Sequence, residues 1–185
     1  MDMTRRKQLE ELHEIIRKCT LCPLHETRKN AVPGEGSVTS RVMFIGEAPG
    51  AREDESGRPF VGQSGELLTS MIQEIGLSRE TVFITSILKS RPPKNRTPTQ
   101  AEISSCRPYL EQQIEIINPQ VIVLLGGVAI SSLVGPWKVS EAHGRFYEVN
   151  NRTYFMTYHP AAALRFPKVK DAMRKDFQVL NQELV

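Results

Sequence analysis

The sequence predicts an α/β fold, with helices packed on a mostly parallel sheet. Three observations carry this. Short uninterrupted apolar runs, Arg41-Val-Met-Phe-Ile45 and Val121–Leu125, have the pattern of strands buried on both faces. Segments of helical period alternate with them, as parallel strands joined by helical crossovers require. Gly or Pro punctuates most of these segments.

Taken in order, Leu9, Leu12 and Ile16 recur at i, i+3 and i+7 and predict an amphipathic helix over Thr4–Lys18, running into Cys19. Cys22-Pro23 and Pro33-Gly34-Glu35-Gly36 break regular structure, so residues 19–40 read as a loop, ordered or flexible. The strand at Arg41–Ile45 leads into a Gly/Pro-rich loop, Glu47–Gly65. A helix over Glu66–Ile75 closes at Gly76, a plausible residue for a left-handed helix end. Thr81–Leu88 is a second strand, followed by a basic, proline-rich loop, Lys89–Pro98. Thr99 caps the next helix, with Glu102 at the capping-box position. Ile103, Cys106, Leu110 and Ile117 mark its inner face and Pro119 stops it. Val121–Leu125 is the third strand and Gly126–Leu133 a short helix. Tyr147–Val149 and Tyr154–Thr157 are strands around an Asn150-Asn151 turn, and Ala172–Leu180 is the last helix. No internal repeat, low-complexity tract or linker interrupts the chain, so its 185 residues read as one domain.

Composition narrows the function classes. Hydrophobic residues make up 39% and charged residues 24%, which excludes general disorder. The longest apolar run, Val121–Ile130, is too short for a membrane-spanning helix, and Met1–Lys7 has no signal-peptide core. A cytoplasmic, monomeric protein is therefore expected. With 24 Lys+Arg against 21 Asp+Glu the net charge is +3, which permits a polyanionic partner without requiring one. Three cysteines cannot make a paired disulfide framework. Cys19-x-x-Cys22 looks instead like half of a metal or cluster site, whereas Cys106 on an apolar helical face also fits an ordinary buried thiol.

In a parallel sheet, ligands sit at the carboxyl ends of the strands, here Gly46-Glu47, Ser86–Arg96, Gly126-Gly127 and His159-Pro160. Gly46-Glu-Ala-Pro-Gly50 is either a rigid recognition loop or a plain strand-to-helix turn with a solvated acidic face. It is not a P-loop, because no Gly-Lys-Ser/Thr follows. Phe60 lies between Gly57 and Gly62; it is either a stacking wall for a nucleobase or a core plug. Lys89, Arg91, Lys94 and Arg96 are held on a loop stiffened by Pro92-Pro93, either for phosphate or merely for solvent. His159 precedes small residues that would let a backbone approach a duplex, and Leu164 could wedge into one.

Together these segments resemble the family 4 uracil-DNA glycosylases, the iron–sulfur branch of that superfamily. The resemblance rests on Cys19-x-x-Cys22-Pro-Leu, Asn30-Ala-Val-Pro-Gly-Glu-Gly36, Gly46-Glu-Ala-Pro-Gly-x-x-Glu-Asp54, Gly57-x-Pro-Phe-Val-Gly62, Arg91-Pro-Pro-x-Asn-Arg-Thr-Pro98 and His159-Pro-Ala-Ala-Ala-Leu164. It implies a three-layer α/β/α sandwich with a central, mostly parallel four-stranded sheet. It implies hydrolysis of the N-glycosidic bond of uracil flipped out of DNA, leaving an abasic site. Phe60 would stack on the base, and the backbone of Gly46-Glu47 would bind its edge. His159 would donate to uracil O2. Glu47 and Glu53 are the carboxylates for positioning water or supporting the cationic sugar. The water-activating Asp of other superfamily branches matches Ala48. Arg91, Lys94, Asn95, Arg96, Leu164 and Arg165 would meet DNA in the nucleoid; no clamp partner is legible.

Two departures stand out. Ser86 occupies the place of an Asn whose amide reads the uracil edge, which opens two alternatives. One is a glycosylase for another deaminated base, such as hypoxanthine. The other is a damaged-DNA binding protein with weak turnover. Ser90 occupies the place of a fourth cysteine, so the resemblance implies a [4Fe-4S] cluster on Cys19, Cys22 and Cys106 with Ser90 in the remaining corner.

Overall fold

The computed structural model describes residues 2–184. From the N-terminus the elements are α1 (Asp2–Arg17), α2 (Leu24–Thr27), β1 (Glu35–Gly36), β2 (Val42–Gly46), α3 (Ala51–Ser56) and α4 (Gln63–Glu74). There follow β3 (Phe83–Ser86), α5 (Gln100–Ile117), β4 (Val121–Leu125), α6 (Gly127–Leu133) and α7 (Val139–Ala142). The chain ends with β5 (Arg145–Val149), β6 (Arg152–Thr157), α8 (Pro160–Arg165) and α9 (Pro167–Leu184).

The sheet has six strands in the order β1-β3-β2-β4-β6-β5. Its middle four, β3-β2-β4-β6, are parallel, as the apolar runs require. The expected four-stranded sheet is thus extended by an antiparallel strand at each edge, β1 on β3 and β5 on β6. Two residues long, β1 carries no periodic signal, which is why the sequence does not announce it.

Alternation along the strands builds two cores. Met43 and Ile45 join Phe83, Ile122, Leu124 and Met156 on one face, beneath Leu9 of α1 and Ile103, Leu110 and Ile114 of α5. Val42 and Phe44 join Ile84, Val123, Leu125 and Phe155 on the other, against Leu68 and Met71 of α4 and Phe177 and Leu180 of α9. The expected layers are therefore present.

Several boundaries differ from the sequence reading. The Glu47–Gly65 loop contains α3, a short helix with no apolar stripe: the Glu53 side chain caps its start, and it ends at left-handed Gly57 with Asn30 Nδ2 donating to the carbonyls of Asp54 and Glu55. The residues from His159 onward form α8, and α9 starts at Pro167, earlier than Ala172. Pro at the first turn of each suits a fixed φ and a missing N–H. Residues 19–40 are ordered by Asp54, whose buried carboxylate accepts from the N–H groups of Lys29 (2.9 Å) and Asn30 (3.4 Å).

Candidate active site

A cavity of about 510 Å³ opens at the carboxyl ends of β2, β3 and β6. This is the size of a small-molecule site. Glu47, Glu53, Phe60, Ser86, Asn95, Arg96, His159 and Arg165 line it, residues spread over more than a hundred positions of sequence. Gly46 belongs to its wall through Phe60: a Cβ on Gly46 would lie 2.4 Å from Phe60 Cζ and 3.4 Å from Ser86 Oγ.

Phe60 is both packed in the core and part of the cavity wall. Its ring is buried, yet one face borders the cavity, 5.8 Å from the His159 ring. The backbone there is left-handed, φ +50°, a conformation a bulky residue adopts only when its surroundings enforce it. Arg79 enforces it. Its guanidinium, anchored on Glu35, donates to the carbonyls of Pro59 (2.6 Å) and Phe60 (2.9 Å) and to Thr69 Oγ1 (3.1 Å). Gly65 completes the fit, since a Cβ there would strike the Phe60 carbonyl. Arg79 lies in no motif segment, and a lone Arg after a helix gives no sequence signal of this role.

His159 caps α8: its Nδ1 accepts from the N–H of Ala161 (3.1 Å). That bond leaves Nε2–H as the donor of the neutral ring. Burial lowers the imidazole to about pH 4, opposed by the charge of Glu53, so the ring is neutral at physiological pH. The approach of β4 to this residue needs Gly126: its φ is +90°, and a Cβ there would meet His159 Cβ at 2.9 Å.

The two acidic candidates differ. Glu53 is fully engaged by backbone amides: Oε1 accepts from Val61 and Gly62 (2.9 Å each) and Oε2 from Gly50 (3.1 Å). It clamps the Phe60 loop to α3. The Glu47 side chain takes no hydrogen bond among the described residues, and burial raises its carboxyl above the ordinary range. Its carbonyl, and that of Gly46, accept from Leu88 (3.1 Å) and Ile87 (2.9 Å), which keeps the turn flush with β3.

The basic loop is less uniform than its sequence suggests. Lys89 is not presented to a ligand. Its ammonium is buried and donates to Thr85 Oγ1, the Ser86 carbonyl (2.8 Å) and Gln113 Oε1 (2.7 Å), and burial lowers it to about pH 7. Arg96 lines the cavity but pairs with Glu102 through two bonds, 2.9 and 2.6 Å. Arg91 holds Asn95 Oδ1 (2.7 Å), and Lys94 is exposed at a left-handed turn, φ +53°. Leu164 lies outside the cavity, on an adjoining recess with Arg52, Gln63 and Arg165.

Beside the segment that leaves the carboxyl end of β3, and against α5, the three cysteines approach one another. Charges on Cys19 and Cys22 raise the Cys106 thiol, already raised by burial, while the backbone N–H of Lys89 hydrogen-bonds it. The Leu21 N–H reaches Cys19 Sγ at 3.5 Å. Tyr109 is pushed up to about 12 by burial and by its hydrogen bond with Cys19. Ser90 accepts from Arg28 Nη1 (2.9 Å), and Arg28 Nη2 holds the Cys19 carbonyl (2.7 Å). Among the described residues no three such side chains close on a single-ion site. Sulfurs around a multi-iron cluster stand further apart than around one ion, and amide donors to two of the sulfurs suit thiolate ligands. The three thiols suit a cluster rather than a single ion, and Ser90 is tied to the Cys19 backbone through Arg28.

The uracil DNA glycosylase superfamily model matches residues 33–185. A type-4 uracil-DNA glycosylase of Pyrobaculum aerophilum is 48% identical over 177 residues, covering 91% of this chain and 90% of the relative. Those of Saccharolobus solfataricus (47%; 95% and 86% covered) and Thermotoga maritima (47%; 88% and 86%) are similarly close. The chain belongs to the uracil-DNA glycosylase superfamily, alongside its type-4 members.

Proposed function

We propose that this protein removes uracil from DNA by hydrolysing the N-glycosidic bond of a flipped-out nucleotide. The observation that carries the reading is a neutral imidazole donor, His159, across one cavity from a fixed aromatic face, Phe60. Extrusion brings the base out of the stack and onto Phe60. As the bond to the sugar breaks, negative charge gathers on the base. The Nε2–H of His159 meets it at O2. A neutral donor suits this step, because it is fixed beforehand and needs no proton from solvent.

Glu47 is the carboxylate left for the sugar side, where it supports the developing positive charge or orients water. Glu53 acts by holding the Phe60 loop. The N–H groups of Gly46-Glu47 and the Ser86 hydroxyl face the base edge. Arg91, Lys94, Asn95 and Arg165 contact phosphate, Arg96 through its Glu102-paired guanidinium, and Leu164 enters the vacated stack. Cys19, Cys22 and Cys106 would hold an iron–sulfur cluster, with Ser90 beside its fourth corner; bound there it would supply a cross-link between α1 and α5. No helix among the described residues is long and apolar enough to cross a membrane, and the reading places the protein with intracellular DNA.

The test is release of uracil from a uracil-containing duplex, read by alkaline cleavage at the abasic site, with His159→Ala as control. Release that falls about a hundred- to a thousand-fold in His159→Ala supports the reading; no release by the wild type overturns it. Ser86 favours a second reading, a pocket for another deaminated base. A hydroxyl presents one rotatable donor and acceptor where an amide presents a fixed pair. Comparing uracil with hypoxanthine, in the wild type and in Ser86→Asn, separates the two.

A further inference from the structure

Beside Leu164, the cavity carries an exposed aromatic ring, Phe166, that the catalytic reading leaves unused. Phe166 is 59% exposed and Leu164 47%, two large apolar side chains two residues apart at the end of α8. Isolated exposed hydrophobics are ordinary. This one is unusual because its backbone is immobilised. The Phe166 N–H donates to the Ala162 carbonyl (3.0 Å), and its own carbonyl accepts from Val169 (3.0 Å) and Lys170 (3.1 Å). Pro167 follows and restricts Phe166 to extended backbone, here φ −127° and ψ 107°. A rigid stem therefore holds an uncovered aromatic ring.

Position adds a second, independent observation. Phe166 lines the same cavity as Phe60, His159, Asn95 and Arg96. Leu164 lies on the other recess, facing Arg52 and Gln63. The two side chains thus diverge across the entrance rather than forming one patch. Arg165 lies between them and borders both spaces. An exposed ring beside a cation, at the rim of a pocket that admits a base, has the chemistry of a single-strand stacking platform.

We infer that Phe166 stacks on the nucleobase adjacent to the flipped nucleotide, on the strand being repaired. This inference rests on the DNA-glycosylase reading. Leu164 fills the gap within the duplex; Phe166 holds open the strand leading into the cavity. Because the ring's backbone is already fixed, binding orders little more than the side chain. Phe166 is a positioning residue, since it touches neither the scissile bond nor the uracil.

The test uses duplexes carrying a tetrahydrofuran abasic-site analogue with 2-aminopurine on its 5′ or 3′ side. Their binding needs no turnover, and 2-aminopurine fluorescence reports stacking directly. On wild-type protein, quenching or shift of one of the two probes is expected. Phe166→Ala should remove that signal and weaken binding about tenfold or more, the loss typical of one aromatic–base stack. Phe166→Trp should restore both, and Phe166→Leu should not. In uracil release, Phe166→Ala should raise KM and leave kcat within about twofold, because the ring leaves the reacting atoms untouched. Unchanged binding in Phe166→Ala, full rescue by Leu, or a marked fall in melting temperature would each overturn the inference. Failure of the wild type to release uracil would count against the functional reading instead, and the fluorescence result would stand apart from it.

Discussion

The Glu47 carboxylate and the His159 imidazole sit in one cavity, and burial displaces them in opposite senses. Burial raises Glu47 above the ordinary carboxylate range and lowers His159 to about 4. The proposed chemistry needs Glu47 ionised and His159 neutral, so both are lost as pH falls, with Glu47 protonated at a higher pH than an ordinary carboxylate. The kcat profile should fall on its acid side at the raised Glu47 value and stay flat above it. Glu47→Gln should lower kcat at neutral pH and abolish the upper inflection. An unchanged profile would assign the limb to another group. Arg79 offers a prediction of a different kind. Arg79→Ala leaves the carbonyls of Pro59 and Phe60 without this donor, while Glu35 keeps its bonds from Arg58. Losing the donor to these carbonyls costs roughly 1–3 kcal/mol, readable as a lower denaturation midpoint. The same variant should raise KM for uracil-containing DNA, because Phe60 loses its enforced left-handed turn. Phe60 and His159 were legible in the sequence as an aromatic and a histidine at strand ends. Arg79 was not, because its contacts are made to backbone carbonyls, which every residue carries.

At the level of elements, α5 is the one best read in advance. Its capping box is present as expected: the Glu102 N–H donates to Thr99 Oγ1 and the Thr99 N–H to Glu102 Oε2 (2.8 Å). What the pattern did not reveal is that Arg96 reaches the same carboxylate. The Arg96 hydrogen bonds, with those from Thr99, hold Glu102 down at about 2. The folded-state value lies below the unfolded one. The stabilisation is therefore complete above the ordinary value near 4.5 and is lost as pH falls from there towards 2. Glu102→Gln should flatten that segment of the melting temperature against pH and cost about 1 kcal/mol at neutral pH through the weakened cap. Where α1 and α5 meet, the thiols make a second prediction. Ser90→Cys should raise the iron bound per chain after anaerobic reconstitution and strengthen visible absorption. An unchanged iron content would mean that Ser90 does not stand at a ligand corner. The short helices α3 and α8 went unread because neither has an apolar stripe. Side-chain caps from Glu53 and His159 set their starts, and only the folded chain brings those groups into place.

For the whole molecule, the four basic residues of the Lys89–Arg96 loop overstate the charge that DNA can meet. Lys89 is buried, and Arg96 is neutralised by Glu102. The salt dependence of DNA binding should accordingly be modest. Lys94→Ala should reduce the slope of log K against log salt by about 1 if Lys94 meets a phosphate. Lys89→Met should leave that slope unaltered, whatever it does to stability. By itself the sequence determined the parallel α/β core, because strands buried on both faces are continuously apolar and the central pair, β2 and β4, is. It also determined the chemical inventory of the site: Glu47, Phe60, Ser86, His159 and three cysteines. Tertiary structure alone decided which of these are free to act. Glu47 and Glu53 are the same residue type and both line the cavity, yet the Glu47 side chain takes no hydrogen bond among the described residues and Glu53 is held by three amides. Burial and hydrogen-bond partners are properties of the folded neighbourhood, and no spacing along the chain encodes them.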